Sequence, residues 1–199
     1  MVVSLLGQHQ HQKYHGSISP CEENFPSASE KMATSSSISA GARGWVNRLQ
    51  SSIEENPSGT GLFFQLSTLG LDGSPRCRTV VHRVLMDDRS EERPHLLICT
   101  STQSDKWAEL MKDSRFEICW YFGGSREQYR MRGSRVRFLL KGKDFQADQV
   151  WNEMSATAKE MFLKNTASKS EPVNFGVLAF HPTFVQLLDL RTGEVSTWE

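Results

Sequence analysis

Arg76, Arg78 and Arg83 stand within one short stretch, Pro75-Arg76-Cys77-Arg78-Thr79-Val80-Val81-His82-Arg83-Val84, whose β-branched residues read as a strand. Strands seldom carry that many arginines unless some face an anion. A guanidinium fork offers two donors to a phosphate, and a rigid strand holds the fork still. The alternative is a solvated edge strand whose charges deter aggregation, and the residue types alone favour it slightly. A second group, Thr100-Ser101-Thr102-Gln103-Ser104-Asp105-Lys106, collects hydroxyls and an ammonium where a strand gives way to a helix. Free backbone N–H groups and the positive dipole end make such a junction an anion seat. Capping by Ser104 is the simpler reading, although capping does not need the lysine. In the third group, Gly124-Ser125-Arg126-Glu127-Gln128-Tyr129-Arg130-Met131-Arg132-Gly133, the Gln128 amide could present a donor and an acceptor to a planar heterocycle. The arginines at 130, 132, 135 and 137 read as a solvated strand face with compensating acids.

The common catalytic motifs are missing. No G-x-G-x-x-G opens a helix after a strand, no G-x-x-x-x-G-K-[ST] occurs, and no G-x-S-x-G elbow is present. Beyond residue 40 the histidines are His82, His95 and His181, each isolated in sequence from further ligands, so no metal site is expected. His82 and His181 read as packed or surface residues.

The elements that must position these groups follow from periodicity. Trp45, Leu49 and Ile53 recur at helical spacing before Asn56-Pro57, predicting a helix over about 42–55. Strands are expected at 62–66, 78–85, 95–100, 116–122, 128–140 and within 174–190. A short helix over 104–112 should turn Trp107, Leu110 and Met111 inward, and Val150, Trp151, Met154, Ala158, Met161 and Phe162 mark one or two more helices. About six short strands with brief connections predict a mainly β fold, an antiparallel closed or split barrel with flanking helices.

Composition narrows the function further. The chain has 199 residues, with 23 Lys+Arg against 23 Asp+Glu, and a zero balance argues against holding nucleic acid by bulk charge. No apolar run approaches the ~20 residues of a membrane helix. Cys21, Cys77, Cys99 and Cys119 are scattered singly and read as free thiols in a reducing compartment. Residues 1–40, His-rich and then Ser/Ala/Thr-rich, read as a disordered tail, and residues 41–199 as one domain. The cytosol is the expected location, with organellar import through the tail as the alternative.

Three segments in order carry a resemblance: Arg78-Thr79-Val80-Val81-His82-Arg83, then Ile98-Cys99-Thr100-x-x-x-Ser104-x-Lys106, then Arg126-Glu127-Gln128-x-x-x-x-Gly133. Over about residues 43–190 the chain resembles the FMN-binding split β-barrel family of pyridoxamine 5′-phosphate oxidase, closest to its shorter plant and cyanobacterial branch. The resemblance implies a homodimer with FMN in clefts at the subunit interface. It assigns Arg78 and Lys106 to the FMN phosphate, with Thr100 and Ser104 as further donors. It runs Arg78, Thr79, Val80 and Val81 beside the isoalloxazine and brings Gln128 to its polar edge, from the second subunit. Arg83 falls where the family has a lysine near flavin and substrate phosphate, and Arg130 and Arg191 are candidates to help it bind substrate. Strict alternation would put Arg78 and Arg83 on opposite strand faces, so that either a bulge intervenes or the two meet different ligands.

Two departures stand out. Asp105 occupies a position commonly arginine in the family, and the C-terminal Arg-x-His-Asp-Arg signature is replaced by Leu188-Asp189-Leu190-Arg191-Thr192-Gly193. The leading expectation is an FMN-dependent oxidase of pyridoxine or pyridoxamine 5′-phosphate. The alternatives are a flavin oxidoreductase of another small molecule and a non-catalytic flavin- or haem-binding barrel. No acid–base residue is nominated.

Overall fold

The computed structural model describes residues 44–57, 59–86, 94–163, 172 and 174–199. The expected tail over 1–40 lies outside them. Helix α1 (Gly44–Glu55) opens the described chain, and its apolar spacing buries Trp45, Val46 and Leu49. Strands β1 (Phe63–Leu69) and β2 (Pro75–Val81) form a hairpin, followed by β3 (Val84–Met86), β4 (His95–Ser101) and helix α2 (Asp105–Lys112). Strands β5 (Phe116–Phe122), β6 (Glu127–Gly133) and β7 (Arg135–Leu140) come next, then helices α3 (Phe145–Glu153) and α4 (Ala156–Leu163). Strands β8 (Phe175–His181), β9 (Phe184–Asp189) and β10 (Val195–Trp198) complete the chain.

The strands build two antiparallel sheets, one of six in the order β10-β9-β6-β5-β1-β2 and one of four in the order β3-β4-β8-β7. This is the expected antiparallel split barrel with flanking helices. Alternation explains how the sheets share a core. Phe64 and Leu66 of β1, Ile118 and Trp120 of β5, and Tyr129 and Met131 of β6 turn inward from the larger sheet. They meet Leu96 and Ile98 of β4 and Leu178 and Phe180 of β8 from the smaller one. Each such fully buried apolar side chain is worth about 1.5–3 kcal/mol against exposure. The smaller sheet is covered on its other face by α3 and α4, where Leu97, Leu139, Val177 and Ala179 pack on Val150, Trp151 and Met154. That two-sided burial is why all seven β8 residues are buried.

Three expected strands prove too long, each for the same reason. The stretch 78–85 leaves the large sheet after Val81: the His82 amide still donates to the Leu62 carbonyl, at 3.0 Å, whereas Arg83 donates to Leu97 of β4, at 3.2 Å. The stretch 128–140 divides at Ser134 and 174–190 at Pro182–Thr183, again passing between sheets. These last two corners touch, since the Thr183 amide donates to the Arg132 carbonyl at 2.9 Å. Gly133 allows it, because a Cβ there would lie 2.7 Å from the His181 carbonyl oxygen. Strand β10 was not anticipated; it pairs with β9 from Val195↔Leu188 to Trp198↔Val185.

Candidate anion seat and flavin site

Helix α2 sets the geometry. Its docking is tight: a Cβ on Gly176 would lie 2.6 Å from the Trp107 ring, and Trp107 packs edge-on against Phe138 at 5.0 Å. Trp107 and Leu110 are buried as expected, but Met111 is 69% exposed. The helix is rotated so that Glu109, 4% exposed, takes the inward position instead. Ser104 holds the N-cap position without making a side-chain cap bond. Its hydroxyl lies 3.1 Å from Thr100 Oγ1, and Lys106 Nζ donates to that same oxygen at 3.0 Å. Thr100, Ser104 and Lys106 therefore form one cluster, the ammonium drawn back over the strand end.

Arg78 comes to this cluster from β2. Its register partner is Leu66, whose own partner is Ile118, so it shares the inner face of the large sheet at the edge next to α2. Its Nη2 reaches Glu109, three residues on from Lys106 in α2, and the Lys106 pKa lies below its ordinary value, first through burial and second through the Arg78 charge. Arg78 Nη2 donates to Glu109 Oε2 at 2.6 Å, and Nη1 donates to Thr68 Oγ1 and, at 3.4 Å, to the Leu66 carbonyl. The Thr68 hydroxyl in turn donates to Glu109 Oε2 at 2.6 Å.

The remaining nominated residues are dispersed. Val80 belongs to the core, so only its backbone can meet a ligand, while Thr79 is exposed opposite Gln65 and Val81 half-buried opposite Phe63. Gln128 pairs across to Tyr121 and Leu188 and alternates with buried Glu127 and Tyr129, placing it on the outer face of the large sheet. Arg78 and Gln128 thus lie on opposite faces of one sheet. Arg83, beyond the sheet crossing, sits against Cys99, whose thiol burial pushes up to about 11 with the Arg83 charge acting the other way. The question raised by alternation resolves because the strand ends between them: Arg78 lies in β2, whereas Arg83 lies in the link to β3, its amide bonded to Leu97 of the smaller sheet. Arg130 forms an ion pair with Glu117 at 2.6 Å and lines an outer-face cavity of about 230 Å³ with Arg132, Phe184 and Gln186. Arg191, in the β9–β10 turn, is tied to Asp189 at 2.8 Å. A larger cavity of about 470 Å³, lined by Ser67, Arg115, Phe116, Arg132 and Thr183, shares only Thr68 with the seat.

Sequence reasoning missed Glu109 and Thr68. The signal for Glu109 was its position three residues after Lys106, which puts both on one side of α2. It also treated His95 and His181 as isolated in sequence, yet the fold brings their tilted rings 4.7 Å apart, both fully buried. Among the described residues no group of three or more His, Cys, Asp or Glu could hold a metal ion.

The donor set suits a phosphomonoester. Two cations and two hydroxyls converge, and three of the five Arg78 N–H donors are used internally among the described residues. The Nε–H and the second Nη2–H remain, side by side, the fork that matches two phosphate oxygens. A family model described as "Pyridoxamine 5′-phosphate oxidase, FMN-binding domain" matches residues 42–138, spanning α1, the β2 arginine, the α2 cluster and Gln128. Over those residues the chain is similar to the FMN-binding domain of the pyridoxamine 5′-phosphate oxidase family. Among curated relatives, pyridoxine/pyridoxamine 5′-phosphate oxidase 2 of Arabidopsis thaliana is 37% identical over 90 residues, 45% of this chain and 43% of that relative. The chain thus matches less than half the length of that protein. Among solved structures of the family, a pyridoxamine 5′-phosphate oxidase-related, FMN binding protein from Nostoc punctiforme superposes with a TM-score of 0.64 at 25% identity, covering 77% of this chain and 95% of that one. PhzG of Burkholderia lata, solved with tetrahydrophenazine-1-carboxylic acid, shares the fold at a TM-score of 0.57 and 15% identity, covering 77% of this chain and 82% of that one.

Proposed function

We propose that this protein binds FMN and oxidises pyridoxine or pyridoxamine 5′-phosphate to pyridoxal 5′-phosphate. The observation that carries the reading is the convergence of Arg78, Lys106, Thr100 and Ser104 at the start of α2, on the segment the family model matches. Arg78 and Lys106 hold the FMN phosphate, Thr100 and Ser104 complete its donors, and the β2 backbone from Thr79 to Val81 flanks the ring. Bound FMN would supply the two-electron acceptor for a hydride leaving the carbon that carries the substrate's alcohol or amine, with oxygen as the final acceptor; from the amine, water then hydrolyses the imine and releases ammonia. Because Gln128 lies on the sheet face opposite Arg78, it reaches the flavin of a second copy, which makes the working unit a homodimer with flavin at the interface. Arg83, aided by Arg130 or Arg191, receives the substrate phosphate. Single free cysteines, of which Cys77, Cys99 and Cys119 are described, support a reducing, cytosolic setting. No described helix is long and apolar enough to cross a membrane.

Anaerobic mixing of FMN-loaded protein with each vitamer tests this. Bleaching of the flavin absorbance with release of pyridoxal 5′-phosphate is expected, and no reduction by either vitamer would sink the substrate assignment. A second reading, an FMN oxidoreductase of another small molecule, draws on the state of the substrate cations. Glu117 already neutralises Arg130, Asp189 neutralises Arg191, and Arg83 is engaged beside Cys99. Bleaching by NAD(P)H but not by the vitamers selects it. Protein that binds FMN and stays oxidised with every candidate would instead be a storage barrel.

A further inference from the structure

Glu109 is a buried carboxylate with no place in the assignments above. It is 4% exposed, on the inward face of α2, and its Oε2 accepts from both Arg78 Nη2 and the Thr68 hydroxyl, each at 2.6 Å. Thr68, itself 4% exposed, also accepts from Arg78 Nη1, so the three side chains close a ring of hydrogen bonds across β1, β2 and α2. A buried carboxylate beside an anion site is costly unless it does something for that site, because its charge opposes the ligand's. Here Glu109 takes Nη2 while Thr68 and the Leu66 carbonyl take Nη1, and among the described residues none accepts from Nε, so the lateral Nε/Nη2 side stays available. An arginine on a strand edge would otherwise sample many rotamers, and fixing it removes that entropy from the binding step.

We propose that Glu109, with Thr68, is a positioning residue: it locks the Arg78 guanidinium so that the lateral fork, rather than the end-on one, meets the ligand phosphate beside Lys106. The proposal rests on the phosphate-seat reading of Arg78 given above. It requires that the gain from a fixed fork outweigh the repulsion between the carboxylate and the phosphate. Loss of Glu109 should therefore weaken phosphate recognition, whereas a carboxylate that merely competed for Arg78 would strengthen it when removed.

The test measures affinities of FMN and of riboflavin, which lacks the phosphate, for the flavin-free protein, by quenching of flavin fluorescence. Their ratio isolates phosphate recognition from ring binding and from general loss of fold. Variants are Arg78→Ala, Glu109→Gln, Arg78→Ala/Glu109→Gln, Thr68→Val and Thr68→Ser. Glu109→Gln should lower the FMN-to-riboflavin ratio about 10-fold with riboflavin affinity unchanged, and Thr68→Val about 3-fold, with Thr68→Ser restoring it. In the Arg78→Ala background Glu109→Gln should have no further effect on the ratio. An unchanged or raised ratio in Glu109→Gln, or an undiminished effect without Arg78, would overturn the positioning role. If Arg78→Ala itself leaves the ratio unchanged, the phosphate seat is wrong and the positioning role falls with it. Should Glu109→Gln fail to fold, the Thr68 pair decides: a ratio that Thr68→Val does not lower overturns the proposal.

Discussion

Lys106 carries a residue-scale consequence of the seat. Burial and the Arg78 charge both disfavour its protonated form, so it loses its proton at a lower pH than the ~10.4 of a free lysine. A phosphate dianion needs the ammonium, so FMN affinity should fall on the alkaline side as pH rises through that lowered pKa. Riboflavin affinity should stay flat over the same range. Lys106→Met should remove the FMN decline and weaken binding by about 1.5–3 kcal/mol, as should Arg78→Ala, the range for one charge-assisted hydrogen bond. Titrations at several pH values check this; an alkaline decline that persists in Lys106→Met would assign it elsewhere. The cations of the seat were legible because Arg78, Thr100, Ser104 and Lys106 are separated by a strand and a helix start of fixed length. Glu109 was not. An apolar stripe of Trp107, Leu110 and Met111 suggested a different rotation of α2, and only packing against β1 reveals the buried acid. The His95–His181 contact was equally hidden, since strand pairing between β4 and β8 joins residues far apart in the chain.

Elements were read well where local periodicity ends at a turn and poorly where it does not. The β5 boundaries and the α1 face follow directly from alternation and helical spacing. The three over-long strands keep a strand-like pattern straight through a sheet crossing, because a crossing changes partners without needing a long loop. Register across β1–β2 and β5–β6 then decides which side of the sheet each nominated residue occupies. One tie holds this arrangement to α1: Arg48 pairs with fully buried Glu127, which also accepts from Ser52 Oγ at 2.7 Å, and Ser52 lies 2.8 Å from the Tyr129 hydroxyl. Arg48→Met leaves that carboxylate without its counter-charge and should cost about 3 kcal/mol, at the low end for a broken buried pair because Ser52 still donates. Urea unfolding measures it, and a loss under about 1 kcal/mol would mean that Ser52 alone satisfies Glu127. Asn56 extends the same tie, donating to the Ser52 carbonyl and accepting from the Gly124 amide, both at 2.8 Å, and so fixes the hairpin that presents Gln128.

For the whole molecule, the outer face of the large sheet is the surface that the proposed homodimer must cover. Phe63 and Tyr121, 43% and 38% exposed, lie there in line with Gln128. Light scattering should give twice the chain mass, and Tyr121→Glu should shift the protein toward monomer; an unaltered dimer would place the interface elsewhere. FMN recognition depends on one claim, that a phosphate is clasped between the β2 arginine and the α2 lysine. Calorimetric titration of flavin-free wild-type protein with FMN and with riboflavin measures that claim most directly. Two charged contacts of about 1.5–3 kcal/mol each predict FMN binding at least about 100-fold tighter than riboflavin. Equal affinities for the two flavins would contradict it.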